Sequence, residues 1–251
     1  MKTTTARPSV AVTSAGKTRT ARRSSATLAP VPSAASKLPE LFRVPALAPT
    51  VRGERTRQRI VSAAEELFRT ASSYENIGVA DIAQASNTSV GSIYRYFESK
   101  EDLLHLILSN AFWRMYTASR GTWDPEDSAL VNIERTTRAY LEAYWEERAL
   151  LRLARSLIGT SDTVRDLWWS INQDLRERMR SRLEQDQAAA GVPALDSELM
   201  IRCLVNMVDG YAARAFIDGE YGRMSKKDIP QIASVVAHVW FRAVWASTAD
   251  G

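Results

Sequence analysis

Apolar residues recur with the period of an α-helix once the first fifty residues are passed. Ile60, Ala64 and Phe68 stand four residues apart and mark one face of a first helix. Shorter periodic stretches predict a second helix over 79–85 and a third over 90–96. The pattern therefore predicts an N-terminal module of three short helices.

Helical periodicity continues to the end of the chain, and residues 100–247 show no strand pattern. Glycine and proline mark most of the breaks between the predicted helices. We therefore predict an all-α chain in which the three-helix module is followed by a six-helix body. The body helices are one that begins at residue 99 and five over residues 126–147, 148–158, 163–189, 196–219 and 228–247.

The connection between the second and third helices has the composition of a tight turn. Residues 86–89 read Ser-Asn-Thr-Ser. Asparagine tolerates a left-handed backbone, so we expect Asn87 at the sharp point of the turn. Ser89 is suited to capping the third helix, while Ser99 and Asp102 form a variant capping box for the fourth. Two short helices joined in this way form a helix-turn-helix unit.

The string from Val79 to Leu104 resembles the DNA-binding domain of the TetR family of transcriptional regulators. Its most diagnostic part is residues 91–104, which read GSIYRYFESKEDLL, and the good match extends over about residues 55–110. The resemblance implies a helix-turn-helix domain that binds double-stranded operator DNA. It also implies that the DNA contacts are Ser89, Val90, Gly91, Ser92, Tyr94, Arg95, Tyr96 and Lys100.

Three features of the string depart from the usual pattern of this family. The turn carries Ser-Asn-Thr-Ser where Ala-Gly-Val-Ser is usual. Gly78 stands where a threonine often caps the second helix, so the usual phosphate contact is not carried over to that position. Val90 replaces a residue that is frequently polar, which favours apolar readout of a thymine methyl group.

The residue types of the third helix also suit DNA on physical grounds. Gly91 costs about 0.5–1 kcal/mol relative to alanine inside a helix, which makes sense where bare backbone approaches a groove. Arg95 and Lys100 supply positive charge for phosphates, while Ile93 and Phe97 are interpreted as the packing side. The alternative interpretation is a three-helix packing module that does not bind DNA.

Positive charge is distributed unevenly along the chain. The whole sequence carries 33 basic and 29 acidic residues, but residues 1–50 hold eight of the basic ones and a single acid. The same fifty residues hold six of the nine prolines, so we predict a disordered basic tail. Such a tail is a solubilising extension, a product of an upstream start codon, or an arm that adds non-specific attraction to DNA.

Arginines also gather at the start of the first helix, where basic side chains are electrostatically unfavourable. We therefore expect Arg55 and Arg57 to contact phosphate or a neighbouring minor groove, the alternative being a solvated helix start. Residues 51–100, the predicted DNA-binding domain, hold seven basic and six acidic residues. Recognition must therefore depend on where the basic side chains stand rather than on bulk charge.

Composition excludes several classes of protein. With 45% apolar residues the chain can form a core, and no stretch of about 18 uncharged apolar residues predicts a membrane span. One cysteine, Cys203, allows no internal disulfide and no cysteine-based zinc site. The first residues lack the apolar segment of a secretory signal, so we expect a cytoplasmic protein. We also expect it to need no metal and no cofactor.

The longest predicted helix carries a stripe of aromatic, amide and apolar side chains, which is either bundle core or the wall of a ligand pocket. The segment from Ser161 to Trp168 and the C-terminal helices are weakly similar to the TetR branch that contains the mycobacterial ethionamide-resistance regulator. That similarity implies a pocket for a small, largely apolar effector. Its candidate lining is Trp113, Tyr144, Trp168, Asn172, Leu175, Met179, Val205, Val208, Asp209 and Trp240.

The family resemblance also implies a homodimer in which the last two helices of each copy form a four-helix bundle. Such a dimer reads a pseudo-palindromic operator whose half-sites lie about 34–36 Å apart. Residues 101–251 are then the ligand-binding and dimerisation domain. We expect a repressor that leaves the operator when its effector binds. The alternative, that the protein activates transcription, stays open. The candidate interface residues are Met207, Tyr211, Val244 and Trp245.

Two other classes of function compete with a regulator. An all-helical enzyme needs catalytic groups, but the chain holds only two histidines, His105 and His238, and no paired-carboxylate or metal-ligand spacing. The acidic pairs Glu65–Glu66 and Glu146–Glu147 are interpreted as solvated helix faces. A helical interaction protein that has lost DNA binding would not need the third-helix string, which is intact. No catalytic residue is therefore assigned.

Overall fold

The chain is helical throughout the part that the structure describes. The computed structural model describes residues 50–120, 122, 124–190 and 197–245, so all of the predicted tail except Thr50 lies outside it. No strand occurs among the described residues, which confirms the all-α class. The α-helices are α1 (Val51–Thr70), α2 (Val79–Ala85), α3 (Val90–Tyr94), α4 (Lys100–Arg120), α5 (Ala129–Leu157), α6 (Asp162–Ala190), α7 (Ser197–Ala213) and α8 (Ile229–Trp245).

The described body has five α-helices, one fewer than predicted. The predicted helices 126–147 and 148–158 form one continuous helix, α5, because neither glycine nor proline stands at their junction. A π-helical turn, Arg214–Asp218, follows α7, and a 3₁₀ turn, Lys226–Asp228, leads into α8. None of the described helices combines the length and apolar character needed to cross a bilayer.

Two apolar clusters hold these helices together. The larger cluster runs without interruption from the N-terminal module into the body and includes Phe68, Ile82, Leu104 and Tyr144. α4 contributes to this cluster along most of its length and packs against α1, α5 and α6. α4 therefore connects the body to the N-terminal module through close-packed side chains.

The smaller cluster joins α6, α7 and α8. Its buried members are Leu183, Ile201, Val205 and Val244.

Four charged side chains form a cluster where α1, α4 and α5 meet, which we call the junction cluster: Glu65, Arg69, Arg114 and Glu147. Glu147 is only 4% exposed and accepts from Arg69 at 2.6 Å and from Arg114 at 2.5 Å. Glu65 accepts from the same two arginines at 2.7 and 2.8 Å. The interpretation of these two glutamates as solvated acids is therefore wrong, because arginines hold both of them.

Candidate DNA-binding surface and ligand cavity

The turn between α2 and α3 is built by its own side chains. Asn87 has a φ of +49°, the left-handed conformation predicted for it. Ser86 is buried, and its hydroxyl donates to Ile82 O at 2.7 Å and lies 2.8 Å from the Thr88 hydroxyl. The amide of Thr88 donates to Ala83 O at 2.9 Å. These bonds fix the direction in which the chain leaves α2 and enters α3.

α3 presents one face to the core and the other to solvent. Ser89 Oγ accepts from the Ser92 amide at 3.1 Å, which confirms the predicted cap. Ile93 is 3% exposed and anchors the helix, whereas Tyr94 is 54% exposed and Val90 is 40% exposed. The outward face therefore carries large side chains that the protomer does not cover.

Gly91 lies on this outward face. A Cβ atom placed on Gly91 would meet no neighbouring atom within 4 Å. The packing of the protomer therefore does not require a glycine, although a glycine here weakens the helix by about 0.5–1 kcal/mol relative to alanine. Gly91 therefore leaves bare backbone on the outward face of α3.

Lys100 is used inside the module. Its Nζ donates to Ile77 O at 2.9 Å and to Tyr74 O at 3.2 Å, and it lies 3.7 Å from the centre of the Tyr74 ring. The Tyr74 hydroxyl donates to Glu101 Oε1 at 2.8 Å and lowers the pKa of Glu101. Lys100 therefore ties the loop after α1 to the start of α4.

The capping box predicted for α4 is confirmed. The Ser99 amide donates to Asp102 Oδ2 at 3.0 Å, and the Asp102 amide donates to Ser99 Oγ at 3.1 Å. The start of α4 is therefore fixed both by its own cap and by Lys100.

The remaining predicted DNA contacts differ in exposure. Arg55 on α1 and Arg95 at the end of α3 are exposed. Ser89 is exposed as well, whereas Ser92 is half-buried. Tyr96 is also half-buried and packs against the larger apolar cluster. The strongest candidates for a DNA contact are therefore Arg55, Arg95 and the outward face of α3.

Arg57 does not stand where a phosphate contact requires it. The residue is 4% exposed, donates to Glu54 Oε1 at 3.1 Å, and lies over the Phe97 ring at 5.8 Å from its centre. Burial against this ring withdraws the guanidinium from the surface. The predicted contact does not fit this geometry, because charge in the sequence does not tell which side of the helix faces inward.

A cavity of about 40 Å³ lies among the side chains of α4, α5, α6 and α7. Four predicted ligand residues line it: Trp168, Asn172, Leu175 and Asp209. Helical periodicity could have identified the additional wall residues as inward-facing, but not as neighbours of an empty space. These missed residues are Phe112, Met115, Tyr116, Tyr140, Leu151 and Ile171.

The polar groups at this cavity are incompletely paired. The Tyr140 hydroxyl donates to Asp209 Oδ1 at a long 3.3 Å. Burial raises the pKa of Asp209, and the opposing effects of Arg155 and Tyr140 do not cancel it. Burial together with the Asp209 charge raises the pKa of Tyr140 well above its usual range, so its hydroxyl remains a donor. The buried hydroxyl of the adjacent Tyr144 has no hydrogen-bond partner in the described part of the chain.

The other predicted ligand residues do not line this cavity. Met179, Val205 and Trp240 belong to the smaller apolar cluster. Trp113 stacks on Tyr116 with ring centres 5.3 Å apart, outside the wall. The structure thus divides the predicted pocket into a cavity and separate packing positions. Tyr144 and Val208 are core residues of the larger cluster.

The predicted interface residues also divide. Met207 on α7 is 37% exposed, and Tyr211 is half-buried and stacks on Tyr221 with ring centres 5.3 Å apart. Val244 is 3% exposed and belongs to the smaller cluster, so it packs within its own protomer and does not face a partner. The side chain of Trp245 lies outside the described residues.

The geometry of α2, the turn and α3 defines a helix-turn-helix module with an outward-facing second helix. Residues 60–107 match the family model described as bacterial regulatory proteins, tetR family. The chain therefore carries a TetR-family N-terminal domain, as the resemblance implied. No curated protein sequence matches the chain.

Solved structures of TetR-type regulators share the fold well beyond this domain. A protein from Rhodococcus sp. assigned to the TetR family superposes with a TM-score of 0.61 at 18% identity, covering 74% of this chain and 98% of that one. A transcriptional regulator of the TerR/AcrR family from Aquifex aeolicus gives 0.58 at 17% identity, covering 74% and 99%. A TetR transcription regulator from Haloarcula marismortui gives 0.58 at 21%, covering 74% and 97%. These likenesses show the TetR fold, while the similarity of the body to the ethionamide-resistance branch stays a prediction.

Proposed function

We propose that this protein is a homodimeric transcriptional repressor that binds a pseudo-palindromic operator and is released by a small, largely apolar ligand. The outward face of α3 carries the proposal. Gly91, Tyr94 and Arg95 lie on a face that the protomer neither covers nor needs for its own packing. The TetR-family domain over residues 60–107 supports DNA as the partner of this face.

In this proposal the outward side chains divide the work of recognition. The Gly91 backbone approaches the wall of the major groove, while Val90 contacts a thymine methyl group. Tyr94 and Arg95 reach phosphates or base edges, and Arg55 adds a phosphate contact from α1. The bonds of the turn contribute by fixing the direction of α3, and Lys100 contributes by holding the start of α4 against the loop after α1.

The dimer is assigned to the exposed apolar faces of α7 and α8. Leu199 and Met207 stand eight residues apart on α7 and are 58% and 37% exposed. Val235 and Val239 stand one turn apart on α8 and are 60% and 43% exposed. Pairing these faces with a second copy removes the exposed apolar side chains from water and places two copies of α3 on one DNA duplex.

Release from DNA is assigned to α4. This helix begins at Lys100 in the module and supplies Phe112, Met115 and Tyr116 to the cavity wall. Ligand sites commonly measure about 300–1,000 Å³, so a ligand has to widen this cavity and displace its walls. A ligand that favours the widened state shifts the population of α4 positions, and with it the position of α3.

The proposal is tested by fluorescence anisotropy of the full chain with DNA fragments from upstream of its own gene. Tyr94→Ala/Arg95→Ala removes two exposed contacts and is expected to weaken binding about 100-fold. The matched control is Trp169→Ala/Arg165→Ala, which removes an aromatic–arginine pair from the surface of α6. Equal affinities of the two double variants would contradict the assignment of α3.

A further inference from the structure

The chemistry of the cavity wall is more specific than an apolar pocket. Aromatic rings of Phe112, Tyr116, Tyr140 and Trp168 line it, and Asp209 is the one charged residue among its lining side chains. Aromatic faces carry negative electrostatic potential, and a carboxylate adds a full negative charge. Both features repel an anionic ligand and attract a cation.

Among the residues that the structure describes, the carboxylate of Asp209 has no cationic partner in direct contact. Within the described part of the chain, no arginine or lysine forms an ion pair with it, and its hydrogen bond from Tyr140 is long at 3.3 Å. Arg155 acts on it only through the longer-range charge interaction, from an exposed position on α5. The raised pKa of Asp209 agrees with this missing ion pair, because burial penalises the charged form of the carboxylate and no contacting cation offsets that penalty in the described residues.

The wall of the same cavity also carries a neutral acceptor. The amide nitrogen of Asn172 donates to Trp168 O at 2.8 Å, which leaves the amide oxygen to accept a hydrogen bond. A protonated amine can therefore donate to Asn172 while its charge pairs with Asp209. A quaternary ammonium group is bound by Asp209 and the ring faces alone.

We infer that the cavity binds an apolar organic cation, with a protonated amine or quaternary ammonium group against Asp209 and the hydrocarbon part against the aromatic walls. This inference rests on the proposed role of the body as the effector site and replaces a generic apolar effector with a cationic one. Binding relieves the cost of burying an unpaired carboxylate, a gain that a neutral ligand of the same shape does not provide.

The test is calorimetric titration of the full chain without DNA, using two probes of the same shape. Benzyltrimethylammonium carries the positive charge, and neopentylbenzene has carbon in place of its nitrogen. Because both probes must widen the cavity equally, the ratio of their affinities isolates the effect of charge. We expect the cation to bind at least about tenfold more tightly. Equal binding, or tighter binding of the hydrocarbon, would overturn the inference without requiring any variant.

Two variants locate the effect. Asp209→Asn keeps the size of the side chain and its acceptor for Tyr140, and it is expected to abolish the preference for the cation. Asp218→Asn, at an exposed acid in the π-helical turn after α7, is the matched control and is expected to retain the preference. A preference for the cation that survives in Asp209→Asn would place the binding elsewhere and contradict the assignment.

A parallel titration of the DNA complex separates this inference from the proposed function. Cation binding without any change in DNA affinity would support the ligand class but contradict release from DNA. Loss of DNA binding on adding either probe, with no preference for the cation, would support release and overturn the cationic assignment.

Discussion

The turn of the helix-turn-helix unit and the cavity in the body differ in how completely their buried polar groups are hydrogen-bonded. In the turn, the Ser86 hydroxyl is paired with both a carbonyl and the Thr88 hydroxyl. At the cavity, Asp209 has one long hydrogen bond, from Tyr140 at 3.3 Å. The polar groups of the turn are therefore paired within the protein, whereas the cavity leaves a carboxylate that a ligand can satisfy.

This difference matches the tasks proposed for the two regions. A surface that reads DNA gains from a rigid, preorganised backbone, because little conformational freedom is then lost on binding. A region that responds to a ligand needs more than one arrangement of similar free energy. The junction cluster lies between the two regions, where it can transmit a displacement from one to the other.

The largest expected effect on stability is at the junction cluster. Glu147→Gln removes the buried carboxylate that both arginines bind and leaves Glu65 as their remaining acid in the cluster, so it is expected to lower the free energy of unfolding by about 2 kcal/mol. Urea denaturation measures the change. Glu146→Gln is the matched control, because Glu146 is exposed and its carboxylate pairs with Lys226 at 2.7 Å, outside the junction cluster. A similar small loss in both variants would show that the cluster does not hold the regions together.

An intermediate effect is expected at the turn. Asn87→Ala places a residue without a favourable side chain in the left-handed region and is expected to destabilise the fold by about 1 kcal/mol. Asn87→Gly adopts the same conformation freely and is expected to remain close to the wild type. Thermal unfolding compares the two, and equal melting temperatures would indicate that the turn relaxes.

At the cavity we expect a small increase in stability, opposite in sign to the two losses above. The pKa of Asp209 is raised above its ordinary 3.8, so folding favours its neutral form. The wild type therefore loses stability as the pH rises from 3.8 through the folded-state pKa, since the folded protein binds more protons there. Asp209→Asn is expected to raise the melting temperature by roughly 1–2 °C at pH 7. This gain should vanish below pH 3.8. A lower melting temperature of the variant at pH 7 would contradict the claim that the buried, unpaired carboxylate of Asp209 destabilises the fold.

Local features of the module could be predicted from sequence because each depends on a few neighbouring residues. The left-handed Asn87, the Ser89 cap and the reciprocal bonds of Ser99 and Asp102 are all of this kind. Ile93 could be placed on the packing side of α3 because helical spacing alone separates its two faces.

Long-range packing explains what sequence reasoning missed. Arg57 is withdrawn by a ring forty residues away, and Glu147 is buried by an arginine on each of two other helices. The cavity depends on how four helices fail to fill the space between them, which no single periodic pattern records. Periodicity therefore places Tyr140 and Phe112 on helices but does not identify them as cavity residues.

The most direct test of the central claim is the effect of Gly91→Leu on DNA affinity and stability together. A side chain at this position starts in open space, so the fold is expected to gain about 0.5–1 kcal/mol from the better helix former. If α3 reads DNA through its bare backbone, the same variant binds the promoter fragment at least about tenfold more weakly. A Gly91→Leu protein that is folded and binds the promoter fragment as tightly as the wild type would contradict the account.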